Sequence, residues 1–161
     1  MSAIKKTNAM RILETAGVAF DTASYEVDES ALDAVTAAEK LGVDPLEVFK
    51  TIVMESDAKE ILVFCVPAVC EVNLKKARAA AGVKELAPIK EASLLSLTGY
   101  VRGGCSPVGM KHPYRTFIDE TAQLHERIHV SAGHRGVQLV VNAKALAAII
   151  GASFADIAAG F

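Results

Sequence analysis

The sequence predicts an α+β fold in which a curved, mostly antiparallel sheet carries helices packed on its outside. Three observations predict it. Strand-like and helix-like segments are interspersed without the regular β-α-β alternation that a parallel sheet needs. Neighbouring strand-like runs are separated by loops short enough for hairpins. The 161 residues contain no repeat, linker or low-complexity stretch, which leaves one domain, residues 1–161, with one core.

Taken in order, residues 4–16 (IKKTNAMRILETA) place Ile4, Met10, Ile12 and Leu13 at helical spacing, with Gly17 to end the helix. Residues 18–27 alternate around Val18, Phe20 and Tyr25 and predict a strand. SALDAVTAAEKLG (30–42) predicts a helix capped by Ser30 or Asp33 and closed by Gly42, and Pro45 marks a turn. VFKTIVME (48–55) and EILVFCVP (60–67) predict two strands joined across SDAK as a hairpin. The second run is apolar on both faces, so it is expected at the centre of the sheet with both faces covered.

NLKKARAAAG (73–82) predicts a helix with Asn73 as cap and Gly82 as stop, and IKEASLLSLTG (89–99) another after Pro88. YRTFIDET (114–121), RIHVSAG (127–133) and GVQLVV (136–141) are strand-like. NAKALAAIIG (142–151) predicts a helix capped by Asn142, and SFADIA (153–158) a last strand.

Composition narrows the function classes. Apolar types supply 52% and charged types 22%, the balance of a chain that folds. No apolar run approaches the ~20 residues of a membrane helix, and MSAIKKTNAM lacks the apolar block of a signal peptide, so the expected setting is the cytoplasm with no membrane partner. A formal charge of −2 argues against tight autonomous gripping of nucleic acid, DNA included, and leaves weak or local binding open. Cys65, Cys70 and Cys105 form no close CxxC pair, which argues against a disulfide framework or a zinc site; no metal and no cofactor is expected.

Two features stand out chemically. Lys50 lies in a strand whose two faces are both largely apolar. It either runs out along an edge with its head in water or enters a pocket where a phosphate or carboxyl group meets its ammonium. The loop GYVRGGCSPVGMKHP (99–113) holds four glycines, and GGCSPVG within it offers main-chain N–H groups with little side-chain cover. Such runs form either plain tight turns or anion nests and oxyanion holes; the pattern is not that of a nucleotide P-loop.

Cys105 raises a nucleophile reading, but none of His112, His125, His129 and His134 carries the signature of its base. His125 and His129 are four apart, yet they fall on a strand-like run, which breaks the helical geometry a metal pair would use. The turn SAGHRG (131–136) puts Ser131 and Arg135 either beside the same pocket or on the surface.

GVDPLEVFKT, VNLKKARAAAGVK, LTGYVRGGCSPVG and VSAGHRG, in this order and spacing, resemble the YbaK family of aminoacyl-tRNA deacylases over nearly the whole chain, closest to its Cys-tRNA(Pro) deacylase branch. The resemblance implies a curved, barrel-like mixed sheet surrounded by helices, the fold shared with the editing domain of bacterial prolyl-tRNA synthetases. It implies that Lys50, Gly103, Gly104 and Ser106 are catalytic and that Tyr25, Thr51, Pro107, Gly109, Ser131 and Arg135 bind substrate. One departure is that VDESALDAVTAAEK lacks the aromatic-glycine pair relatives carry after the tyrosine; another is Cys105 where an aliphatic residue is expected, which speaks against Cys105 as nucleophile.

The activity implied is trans-editing: clearing Cys-tRNA(Pro), and Cys-tRNA(Cys) with it, when the substrate's own thiol attacks its ester carbonyl and expels the tRNA as a thiolactone forms. Editing of Ala-tRNA(Pro) by a bound water and a non-catalytic module that binds tRNA or synthetase are the rival readings. The partners implied are the 3′ end of aminoacyl-tRNA and prolyl-tRNA synthetase in a ternary complex, which would offset weak intrinsic affinity.

Overall fold

The computed structural model describes residues 5–161. Helix α1 (Asn8–Thr15) starts later than its periodicity predicts, because Thr7 takes an extended backbone and its side chain accepts the Met10 N–H at 3.2 Å. Ile4 lies outside the described residues. Strand β1 (Phe20–Ser24) stops one residue short of Tyr25. Helix α2 (Ala34–Leu41) is capped by Asp33, whose carboxylate accepts the Thr36 N–H at 3.0 Å, and not by Ser30.

Strands β2 (Phe49–Ser56) and β3 (Ile61–Pro67) form the predicted hairpin. β4 (Glu71–Val72) leads into α3 (Leu74–Ala81), with Asn73 capping and Gly82 closing it in the left-handed region. β5 (Leu86–Pro88), α4 (Glu91–Thr98), β6 (Arg115–Asp119) and a 3-10 turn (Glu120–Leu124) follow. The chain ends with β7 (Ile128–His134), β8 (Val137–Val141), α5 (Ala143–Ile150), β9 (Ser153–Ala155) and β10 (Ala158–Ala159).

These strands build three sheets. Five strands run in the order β5-β2-β3-β6-β9, with antiparallel pairs around β2 and parallel pairs at β3–β6 and β6–β9. Three antiparallel strands form β1-β8-β7, and β10 pairs with β4. The α+β class and the mostly antiparallel, mixed pairing are as expected; the barrel is not closed. Among the described residues one isolated parallel bridge links the two larger sheets, Val48 to His129, where the His129 N–H donates to Glu47 O at 2.9 Å. β7 bulges between Ser131 and His134, shifting its register against β8 before pairing resumes at His134–Val137.

β3 is central and buried along nearly its whole length, as its two apolar faces require. Phe49, Val53 and Val63 pack on one side with Leu13 of α1, Leu139 of β8 and Leu146 of α5. Phe64 and Leu62 pack on the other with Ala77 and Ala81 of α3 and with Ile157.

The short strands have a cause the sequence does not advertise. Asp119, buried at the end of β6, accepts from the Ile157 and Ala158 N–H groups at 3.0 and 3.1 Å, and from Thr121 through N–H and hydroxyl. One carboxylate therefore fixes the start of β10, and β10 in turn fixes β4.

Two outcomes follow for stability. Asp119→Ala leaves those buried donors unmet and should lower unfolding free energy by roughly 2–4 kcal/mol in urea titrations; a loss under 1 kcal/mol would contradict the role. His129 is buried with Nδ1 unpartnered, and burial pushes its pKa below the ordinary 6.5, against the pull of Glu47 and with the push of Arg127. Its folded form resists a proton that the unfolded chain accepts, so stability is held above about 6.5 and falls as pH drops through that value towards the lowered one. His129→Gln should flatten that acid-side decline in melting temperature.

Candidate active site

β5 covers the edge of β2 only at Met54–Ser56, so among the described residues no strand is paired to the edge over Phe49–Ile52. A hollow of about 470 Å³ opens there, between β2 and the three-stranded sheet. Because it forms at an open edge and not on a face, residues of both parities reach it: Lys50 and Ile52, and also Phe49 and Thr51.

The Lys50 side chain is about one-fifth exposed (21%), and its ammonium lies 3.2 Å from Glu71 Oε1. Lys50 lines the hollow, and its ammonium meets an anion there. That anion is a carboxylate of the chain itself, held on β4 by β10.

Thr51 lines the hollow with its hydroxyl 3.8 Å from the buried Cys65 sulfur. Tyr25 lines it from just past β1, held where its N–H donates to Gly136 O at 2.9 Å. Gly136 sits at φ +86°, and a Cβ there would meet Tyr25 O at 2.9 Å, so the turn requires glycine. Ser131 lines the hollow from β7, and its Oγ accepts the Gly133 N–H at 3.1 Å.

The glycine-rich loop divides. Gly103 and Cys105 line the hollow. Gly104 packs so tightly on the following turn that a Cβ would meet Arg135 N at 3.1 Å, and its own N–H is spent on Val101 O at 3.0 Å. Gly104 thus shapes the loop and its N–H is not available as an oxyanion donor; among the described residues the N–H groups of Gly103 and Cys105 have no acceptor.

Ser106 is fully buried, with its Oγ accepting the Val108 N–H at 3.1 Å, and it does not line the hollow. Pro107 and Gly109 line a separate hollow of about 270 Å³ with Ile12 and Ile149. Gly109 is small because Tyr100 Oη and Asn8 Nδ2 approach to 2.9 and 3.0 Å of where a Cβ would stand. Arg135 braces the loop from outside, its Nε donating to Arg102 O at 2.8 Å.

Glu71 and Gln138 are among the residues of the hollow that escape sequence reasoning. Glu71 looks like an ordinary loop acid; its pairing with Lys50 spans 21 positions. Gln138 left a legible trace, one polar residue inside the apolar run GVQLVV. It is 6% exposed, and its Oε1 is buried without a hydrogen-bond partner.

The thiols are quiet. Burial pushes Cys105 up to about 11, with a hydrogen bond from Thr98 pulling slightly the other way, and pushes Cys65 up to about 12. A thiol at such values is a thiolate in about one molecule in ten thousand or fewer at neutral pH, which leaves Cys105 a poor nucleophile. Among the described residues no three His, Cys, Asp or Glu side chains gather to hold a metal, and no helix is long and apolar enough to cross a membrane.

The hollow thus brings together a partly uncovered sheet edge, a lysine paired with a carboxylate and part of the glycine-rich loop. The chain belongs to the family of the aminoacyl-tRNA editing domain, whose model matches residues 28–149. That span includes Lys50, the glycine-rich loop and Ser131, and leaves Tyr25 just outside.

An Enterococcus faecalis protein named as a candidate Cys-tRNA(Pro)/Cys-tRNA(Cys) deacylase, EbsC, is 37% identical over 153 residues, 95% of this chain and 93% of the relative. The solved structure of a candidate trans-editing enzyme for prolyl-tRNA synthetase superposes with a TM-score of 0.81 at 24% identity, covering 97% of this chain and all of that one. That of a hypothetical protein gives 0.84 at 21% identity, over 92% and 97%. These two structures establish the fold.

Gln138 ties stability against function. Gln138→Met should raise unfolding free energy by about 1 kcal/mol by removing an unmet buried oxygen. The same variant should weaken substrate binding severalfold, read as a higher KM in deacylation. A variant no more stable and equally active would leave Gln138 without a part in the site.

Proposed function

We propose that this protein is a trans-editing deacylase that clears cysteine from tRNA(Pro), and from tRNA(Cys), working in the cytoplasm and recruited by prolyl-tRNA synthetase. The observation that carries the reading is the hollow itself, which gathers Lys50, Thr51, Tyr25, Gly103 and Ser131 from four separate strands and loops. The extent of the likeness to EbsC supports the substrate.

In this mechanism the substrate thiol attacks its own ester carbonyl. The S–C bond forms, the C–O bond to the ribose breaks, the thiol proton passes to the departing ribose oxygen, and the thiolactone hydrolyses afterwards. A free thiol titrates near 8.5, so a few per cent is thiolate at neutral pH and no protein nucleophile is required. The hollow holds the thiol near the carbonyl. The Gly103 and Cys105 N–H groups steady the oxyanion, a duty that cannot include the committed N–H of Gly104. Lys50 takes the phosphate of the terminal nucleotide, and Gln138 Oε1 accepts from a polar hydrogen of the bound end. Ser106, Pro107 and Gly109 hold the loop's shape, and Arg135 supports it from behind.

Lys50→Ala should abolish turnover of Cys-tRNA(Pro) while the melting temperature holds, and Cys105→Ser should keep most activity. Esters of alanine and serine assayed alongside should survive, since neither can form the thiolactone. A fully active Lys50→Ala, or alanyl ester cleaved as fast as cysteinyl, would reject the scheme in favour of a water-based hydrolase.

A further inference from the structure

The cations around the hollow are all covered in the same way. Lys50 lies inside it, and Arg102 lines its mouth. Arg135 lies just behind, with its Cγ 3.6 Å from where a Gly103 Cβ would stand. Each faces one carboxylate from a different part of the chain. Glu71 is 3.2 Å from Lys50, Glu91 is 3.5 Å from Arg102, and Glu29 is 3.8 Å from Arg135. The three carboxylates are 83%, 66% and 83% exposed, so solvent already surrounds them on most sides.

Away from the hollow Lys6–Glu14, Lys59–Glu55 and Lys76–Asp156 are single and exposed too, but one pair is of a different kind. Arg115 grips Glu60 with two hydrogen bonds of 2.8 and 2.9 Å. That is the short, forked geometry of a pair that stays closed. The pairs at the rim are longer, single and wet, and pairs of that sort are worth little.

We infer that Glu29, Glu71 and Glu91 are displaceable counter-ions, exchanged for backbone phosphates when the 3′ strand of an aminoacylated RNA docks. This rests on the function proposed above and adds how the site controls its affinity. In the empty protein the carboxylates neutralise the rim, in keeping with a chain of net charge −2. On docking, each phosphate takes over a cation and its carboxylate swings into water. Binding strength is then the difference between two ion pairs, which keeps the enzyme from holding the abundant tRNAs it has no reason to edit.

The test measures KM for Cys-tRNA(Pro) and for the cysteinyl ester of adenosine, which carries no phosphate, at low and at high salt. The triple variant Glu29→Gln, Glu71→Gln, Glu91→Gln should lower KM for the tRNA by about fivefold or more at low salt, the gain shrinking as salt rises. For the phosphate-free ester KM should fall far less than for the tRNA.

In a Lys50→Ala, Arg102→Ala, Arg135→Ala background, tRNA binding measured by filter retention should weaken, and restoring or removing the three glutamates should make no difference. An unchanged or raised tRNA KM in the glutamine variant overturns the counter-ion role, as does an equal fall for both substrates. If instead the three-alanine variant binds tRNA as wild type does, the phosphate-holding role proposed for Lys50 fails first, and that result is distinct from the others. Melting curves for every variant separate these readouts from unfolding.

Discussion

The site exists because strand β2 is paired along one side only in part. β3 holds β2 from Phe49 to Glu55, but on the other side β5 reaches only its last three residues. A sheet edge left bare is a hazard, since its main-chain groups invite another strand. Here the bridge at Val48 pins one end, β5 closes the other, and the glycine-rich loop and β4 stand across the gap without pairing to it. Closing the barrel would erase the hollow.

Within that space the charge of Lys50 is tolerable because the hollow is open to water and Glu71 is at hand. A lysine sealed in a dry cavity would lose its proton or be expelled. Holding Glu71 in place takes the far end of the chain: Asp119 fixes Ile157 and Ala158, and β10 carries β4. The electrostatics of the site thus depend on hydrogen bonds among Asp119, Ile157 and Ala158, all far from Lys50 in the sequence.

This explains which parts were legible. Helix ends were read correctly at Asn73, Asn142, Gly42 and Gly82 because a cap is a local contract between a side chain and an N–H three residues on, or a backbone that only glycine adopts cheaply. β3 was read as central because burial on both faces writes itself into composition. β4, β5 and β10 were not foreseen, since two or three residues carry no periodicity and their partners are distant. In the site, residue types marked Lys50 and the loop, but not direction. Nothing in GGCSPVG says that Gly104 spends its N–H on Val101, or that Pro107 and Gly109 turn towards Ile12.

The quiet thiols bear on how selectivity can arise. A pocket that must separate side chains differing by one or two heavy atoms gains only ~10- to 200-fold from fit. Had Cys105 been an activated nucleophile, every ester that fitted the hollow would meet the same attack, and fit alone would decide. With Cys105 pushed up to about 11 and Cys65 to about 12, the protein brings donors, a cation and a shape, but no attacking group of its own among its cysteines. A reaction that depends on the substrate to supply the nucleophile multiplies the modest discrimination of fit by a chemical requirement. A site of this kind needs neither a tight pocket nor high affinity, which accords with a hollow at an unfinished sheet edge whose cations are already half-satisfied.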